Sequence, residues 1–277
     1  MGAVAREDLA SSQVRLVLAM IVLRRGIPVS RDELAEALWP VRPPTSWPSA
    51  LRLVVSKVRR ALLSVLPDCA DLLVARAGSY LLEIPESVAV VVDVEQAERA
   101  VEGAEANLAH AHPRQAIAEA SQARHLLGQP LLPDVEAAWA DEVRRRLYDL
   151  SQRSLQALTI ARLDLGQYAL AVAAASELVT GAPVSEDAHR VLIQAHLTAG
   201  NRGEGLRAYE RCRRQLADEL GVDPSPGTEA LYRDLLGEEP SHPAARPTQE
   251  LPVVGREDEL RRSPPSSPRS ETEPVGW

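Results

Sequence analysis

The feature that most constrains this chain is the match of its sequence with itself at an offset of 34 residues. Apolar and small residues coincide at this offset in the pairs Leu158/Leu192, Ala161/Ala195, Leu163/Leu197, Gly166/Gly200 and Ala174/Ala208. A period of 34 residues is typical of a repeat of two paired helices, and such repeats stack into an array with a concave binding surface. The alanines and glycines among these pairs predict close contacts between the paired helices.

Composition agrees with a helical chain of about two domains. The 277 residues give room for roughly two domains. Aromatic residues make up only 3% and Phe is absent, which favours helices packed through Ala and Leu over a sheet-rich fold. Residues 1–90 hold 11 Lys or Arg and 9 Asp or Glu, whereas residues 91–277 hold 20 and 30. This asymmetry indicates an N-terminal part that faces nucleic acid and an acidic body.

The stretch 46–66 predicts an amphipathic helix that begins near Pro48. Its apolar stripe has the spacing of a buried helix face and consists of Leu51, Val54, Val55, Val58, Ala61 and Leu62. The opposite side carries Ser49, Ser56 and Arg60, flanked by Arg52, Lys57 and Arg59. No Asp or Glu occurs between residues 37 and 67, although the formal net charge of the chain is -8. A basic face without acids suits a phosphate-rich partner; the alternative is the solvated face of an ordinary helix.

The neighbouring segments place this helix in a known arrangement. Residues 13–25 predict a first helix, and Ser30 with Glu33 forms an S-x-x-E capping box at the start of a second. After the basic helix, two short apolar runs around Gly78 predict a β-hairpin. Three helices followed by a hairpin is the order of a winged helix-turn-helix, in which the third helix enters the major groove and the hairpin lies along the backbone or minor groove.

Three phrases carry a family resemblance: VSRDELAEALWP, SALRLVVSKVRRAL and ARAGSYLLEI. Together they resemble the OmpR-type DNA-binding domain of the SARP family of antibiotic-pathway transcriptional activators. The rest, entered at residues 92–94, resembles the family's bacterial transcriptional activation domain, so that the resemblance covers roughly residues 13–237. Members of the family begin with a small β-sheet, whereas about a dozen residues precede the first helix here. We therefore expect either a truncated or wrongly assigned start, or a sheet reduced to the hairpin.

These observations predict a mainly α chain, with an N-terminal winged helix-turn-helix followed by a tetratricopeptide-like helical array. We expect a DNA-binding domain over residues 1–90 and the activation domain over residues 91–237. Residues 238–277 are rich in Pro, Ser, Glu and Arg and are predicted to be a disordered tail. Within it, LPVVGREDEL resembles the entry to the ATPase domain of larger family members, but no G-x-x-x-x-G-K-S/T loop follows. We read the tail as the stub of such a domain, and we expect no ATP binding and no cofactor.

The sequence gives little support to an enzyme. The six His are scattered and the two Cys, Cys69 and Cys212, are too few for a disulfide framework or a zinc site. The longest apolar stretch near the N-terminus, residues 16–23, is far shorter than the ~20 residues that span a bilayer. The expected protein is a non-enzyme without metal or membrane contact, located in the cytoplasm and associated with the nucleoid.

The predicted role is promoter DNA binding through the basic helix and the hairpin. The candidate phosphate contacts are Arg52, Lys57, Arg59 and Arg60, the candidate base contacts are Ser49, Ser56 and Arg60, and the candidate contacts of the hairpin are Arg76, Ser79 and Tyr80. The resemblance implies an activator that binds direct repeats as a homodimer, contacts RNA polymerase and controls a secondary-metabolite pathway. The rival interpretations are a tetratricopeptide-like interaction scaffold whose DNA-binding domain is degenerate, and a regulatory fragment of an ATPase-type switch.

Overall fold

The computed structural model describes residues 9–65 and 72–237, and this part of the chain is mainly helical, as predicted. Its N-terminal elements are α1 (Ser12–Leu23), β1 (Val29–Ser30), α2 (Arg31–Leu38), α3 (Trp47–Val65), β2 (Leu73–Arg76) and β3 (Ser79–Leu82). They are followed by α4 (Asp93–Ala109), α5 (Pro113–Leu127), α6 (Ala138–Asp164), α7 (Tyr168–Gly181), α8 (Glu186–Thr198), α9 (Arg202–Leu220) and α10 (Pro226–Leu236). Cys69 and the tail 238–277, for which the sequence makes predictions, lie outside the described residues.

The hairpin of β2 and β3 is confirmed, and it belongs to a three-stranded antiparallel sheet with the strand order β1-β3-β2. Ala77 and Gly78 form its turn with φ angles of 38° and 86°, and two positive φ angles suit the right-handed twist of a two-residue hairpin. The additional strand β1 pairs Val29 with Tyr80. The sheet is therefore not reduced to the hairpin, because the residues just before α2 extend it.

The predicted capping box fixes the start of α2 beside β1. The Ser30 hydroxyl accepts from the Glu33 amide at 3.1 Å, and the Glu33 carboxylate accepts from the Ser30 amide at 2.8 Å. Arg24 also donates to Glu33 at 2.7 Å. The amide of Ser30, followed by Arg24, lowers the pKa of Glu33 to about 2. The carboxylate thus stays ionised and holds the helix end at neutral pH.

The apolar stripe of α3 is buried as predicted. Leu51, Val54, Val55, Val58 and Ala61 are at most 6% exposed, and the first four belong to one core cluster with apolar residues of α1, α2 and the sheet. Burying four such side chains contributes on the order of several kcal/mol, at about 1.5–3 kcal/mol each. The burial fixes which side of α3 faces outwards.

The core of the N-terminal segment also takes in residues that lie much later in the chain. Val135, Ala137 and Ala140 belong to the same cluster as the α1 residues and are at most 8% exposed. Arg25 forms a two-pronged pair with Glu95, one contact measuring 2.6 Å, and these hydrogen bonds raise the pKa of Arg25. The described part of the chain is one compact unit. A domain boundary at residue 90 stays a proposal.

The 34-residue period is confirmed. The pairs α4/α5, α6/α7 and α8/α9 pack side by side, and α10 packs on α8 and α9. The first helices of two pairs end 34 residues apart, at Asp164 and Thr198, and the turn after each has the same hydrogen bonds. Gly166 donates to the Leu163 carbonyl at 2.9 Å, and Gly200 donates to the Leu197 carbonyl at 3.0 Å.

The expectation that Gly166 and Gly200 lie at close helix contacts is wrong. Their φ angles are 69° and 74°, and a Cβ atom built on either glycine would meet nothing within 4 Å. Both occupy the left-handed conformation of the turn between paired helices, which glycine adopts without a steric penalty. Close approach occurs instead at Gly205, where a Cβ atom would lie 2.6 Å from Leu235 Cδ2. Ala161 and Ala195 are fully buried, and close helix contacts at these two alanines stay a prediction.

The turn between α4 and α5 has the same left-handed position, but an alanine occupies it. Ala111 has a φ of 56° and donates to the Leu108 carbonyl at 3.0 Å. Ala111→Gly should therefore stabilise the chain by about 0.5–1 kcal/mol, whereas Gly200→Ala should destabilise it by about 1 kcal/mol. Urea unfolding of the full chain measures both. Shifts of the same sign would contradict a common turn geometry.

The last helix begins later than the sequence suggests. The segment GVDPSPGTEALY predicts Asp223 as the N-cap and Pro224 as the first helical residue, but α10 begins at Pro226 after Ser225. The Glu186 carboxylate of α8 accepts from the Ser225 amide at 2.7 Å and from the Thr228 hydroxyl at 2.6 Å. Burial alone would raise the pKa of Glu186, but these hydrogen bonds lower it overall. A carboxylate from another helix thus takes the role of the cap, which sequence neighbours cannot reveal.

Candidate nucleic-acid interface

The side of α3 opposite the core is an exposed face of mixed polar and basic residues. We call it the outer face of α3; its exposed members are Ser49, Arg52, Leu53, Ser56, Lys57 and Arg60. They recur at three- and four-residue intervals, so they form one patch along the helix. Since no acidic residue occurs between residues 37 and 67, positive charge dominates this face. The structure thus brings together five of the nine residues selected from the sequence.

Arg59 lies beside this face and ties α3 to the hairpin. Its Nε and Nη2 atoms both donate to the Leu73 carbonyl of β2, at 3.2 and 3.1 Å. The contact fixes the position of the hairpin relative to the outer face of α3. Arg59 is still exposed, so a phosphate contact by its guanidinium stays a prediction beside this structural role.

Two of the three hairpin candidates lie at the tip and already have partners. Arg76 is exposed and pairs with Glu83 at 2.8 Å. Ser79 is half-buried, and its hydroxyl donates to the Arg76 carbonyl at 2.8 Å. The pair reduces the charge that Arg76 offers to a ligand, because a nearby carboxylate already compensates it. DNA contacts by both residues stay predictions.

The prediction that Tyr80 contacts DNA is wrong. Its side chain is 4% exposed and belongs to the core cluster, and the guanidinium of Arg31 lies 5.7 Å from the ring centroid. Successive residues of a strand point to opposite sides of the sheet, and β3 buries Tyr80 and Leu82 while Ser79 and Leu81 are only half-buried. The residue types do not alternate strictly, since Leu81 is apolar as well, but the set Tyr80, Leu82 and Ile84 at two-residue spacing is apolar throughout and indicates a core side for Tyr80.

Leu53 is the residue of the outer face that sequence reasoning missed. Its side chain is 61% exposed, and it lies between Ser49 and Ser56 in the same row of the helix. Charged and polar residue types mark a DNA contact in a sequence, and a leucine carries no such mark. Its place outside the apolar stripe of α3 was the signal that could have identified it.

The described residues contain neither a metal-binding cluster nor a membrane-spanning helix. Across residues 9–65 and 72–237, no group of three or more His, Cys, Asp or Glu is placed to hold a metal ion. Over the same ranges, no helix is long and apolar enough to cross a membrane. The candidate site is the outer face of α3.

Comparison with known proteins gives the family. The profile of the bacterial transcriptional activator domain matches residues 92–236, which is more than half of the chain. The sequence is 30% identical over 232 residues to the regulatory protein AfsR of Streptomyces coelicolor, and 28% identical over 236 residues to the regulatory protein DnrI of Streptomyces peucetius. The chain belongs to the SARP family. The alignment with DnrI covers 82% of this SARP chain and 84% of DnrI.

The fold agrees with that assignment. A solved structure of EmbR from Mycobacterium tuberculosis, in complex with a low-affinity phosphopeptide, matches this SARP chain with a TM-score of 0.74 and 27% identity. The match covers 84% of this chain and 61% of the EmbR chain. The relatives differ in length, and the chain spans about a quarter of the two AfsR proteins that it matches, 22% and 24%.

Proposed function

We propose that this SARP chain binds promoter DNA by placing the outer face of α3 in the major groove. The observation that carries the proposal is the basic, acid-free outer face opposite a fully packed stripe. The major groove is about 12 Å wide and admits an α-helix. At 19 residues, α3 is roughly 28 Å long at 1.5 Å per residue, enough to follow the groove across several base pairs.

The positions of the side chains on α3 suit some of them to phosphate contacts and others to base contacts. Successive residues of a helix are separated by about 100°, so Arg52 and Lys57 lie on opposite flanks of the outer face. Flanking cations suit the phosphates on the two sides of a groove. Ser49, Ser56 and Arg60 lie along its middle, where base edges would meet them, and Arg is the commonest reader of guanine.

The proposal includes the finer role that the family resemblance implies. The chain would bind direct repeats as a homodimer, contact RNA polymerase through the helical array, and activate a secondary-metabolite pathway in the cytoplasm, associated with the nucleoid. The regulatory relatives AfsR, DnrI and EmbR support a regulator over an enzyme. The array supports a role in protein contacts, because stacked helical repeats present extended binding surfaces.

Selection of bound sequences from random duplex DNA, followed by gel shifts, tests the proposal with the full chain. We expect an enriched sequence motif and an affinity that falls steeply with salt, because cations that meet phosphates release counterions. The logarithm of the binding constant should fall with the logarithm of the salt concentration by about 0.9 for each phosphate contact. Absence of binding at low salt would contradict the proposal and favour the interaction scaffold.

A further inference from the structure

Leu53 is an exposed apolar side chain in the middle of a basic surface. In the fully described segment from Ser49 to Arg60, it is the one exposed large apolar residue, with 61% of its surface accessible. Isolated exposed leucines are common on protein surfaces. The exposure of Leu53 alone therefore does not indicate a binding role. The evidence for such a role is its position on the helix.

Its position is central. Leu53 follows Ser49 by four residues and precedes Ser56 by three and Arg60 by seven, so all four side chains lie in one row of the helix. Arg52 and Lys57 flank the row on opposite sides. A ligand that contacts both flanks must therefore cover Leu53.

The charge around Leu53 selects the kind of ligand. Arg52, Lys57 and Arg60 are exposed around it and no acidic residue lies within the segment 37–67. A neutral apolar partner would desolvate these cations without compensation. A polyanion compensates them, and the major groove of DNA also offers an apolar group, the C5-methyl of thymine.

We propose that Leu53 packs against the C5-methyl of a thymine and makes this chain select a T·A pair opposite the first turns of α3. The inference rests on the proposed function and adds a specificity-determining residue to it. The leucine side chain has no donor or acceptor, so it discriminates by apolar contact alone. Cytosine lacks the methyl group and presents an amino donor in the major groove. Beside Leu53 this amino group would lose its water without gaining a hydrogen-bond partner.

Uracil scanning of the operator tests this contact. Each thymine of the selected sequence is replaced in turn by deoxyuridine, which removes the methyl group and keeps the base pair. At one position the wild-type affinity should fall about fourfold, the effect expected from about one buried methyl group. Leu53→Ala should bind the unmodified operator several-fold more weakly and should be insensitive to uracil at that position. Leu53→Met, which keeps an apolar side chain of similar volume, should restore most of the sensitivity.

The control is Leu170→Ala, because Leu170 of α7 is also exposed, at 52%, and lies in the array. It should show the wild-type response to uracil at every position. Thermal unfolding shows whether each variant is folded. A wild-type chain that binds its operator but is indifferent to uracil everywhere would overturn the inference, as would a Leu53→Ala variant that keeps the wild-type sensitivity. Failure of the wild-type chain to bind DNA would instead overturn the proposed function, and the inference with it.

Discussion

Replacing Arg52 and Lys57 together by alanine should weaken binding to every DNA sequence, by roughly 10- to 100-fold at moderate salt. Both side chains are exposed on the flanks of the outer face of α3, and the proposed binding mode has them contact phosphates rather than base edges. Loss of two phosphate contacts should also reduce the slope of log affinity against log salt by about 2. Gel-shift titrations at several salt concentrations measure both quantities.

A matched pair of arginine substitutions in the helical array separates this effect from a change in net charge. Arg114 of α5 and Arg145 of α6 are exposed, so Arg114→Ala/Arg145→Ala removes the same charge away from α3 and should leave the salt slope unchanged. Arg60→Ala should behave differently from both, with a loss of about 1–3 kcal/mol that depends on the base at one position. Equal losses in the two double variants would contradict a role for α3.

Arg144→Ala should destabilise the chain by about 2–4 kcal/mol, far more than an ordinary surface substitution. Arg144 lies on α6, and its guanidinium donates to the carbonyls of Leu131 at 3.0 Å, of Val135 at 2.8 Å and of Leu132. It also pairs with Asp141 at 2.6 Å. These contacts hold the segment before α6, which inserts Val135 into the core of the N-terminal part. Without Arg144, the half-buried carbonyls lose charged donors that are worth more than neutral ones.

The neighbouring arginine provides the control. Arg145→Ala should change the free energy of unfolding by no more than about 0.5 kcal/mol, because its side chain is exposed. Arg144→Lys should recover little, since a single ammonium group cannot reach three carbonyls as the planar guanidinium does. Urea unfolding of the full chain compares the three variants. Similar midpoints for Arg144→Ala and Arg145→Ala would show that the segment before α6 is held in another way.

Local sequence patterns predicted the elements that depend on nearby residues. The stripe from Leu51 to Ala61 follows from helix periodicity, the Ser30–Glu33 box from a four-residue motif, and the repeat from residues 34 apart. In each case the sequence spacing itself determines which residues lie together. Five of the nine candidate contacts were found together on the outer face of α3 for the same reason.

Features that depend on distant residues were missed or misassigned. The run of three arginines at 144–146 has no internal signal that distinguishes Arg144 from Arg145, because carbonyls of a preceding segment make the difference. Glu186 caps a helix that begins 40 residues later. The sequence pattern assigns Gly200 to packing, because residue type alone cannot distinguish a glycine required by backbone conformation from one required by limited space. Strand β1 has only two residues, too few for any periodic pattern.

The core shared between α1 and the segment before α6 limits how the N-terminal part can be exchanged among relatives. A cut near residue 90 would separate Arg25 from Glu95, and it would pair α1 with a foreign counterpart of Val135 and Ala140. A functional chimera therefore has to carry Glu95 and residues 131–140 together with the first 90. In this chain the residues that form the N-terminal core are discontinuous in sequence, although they are continuous in space.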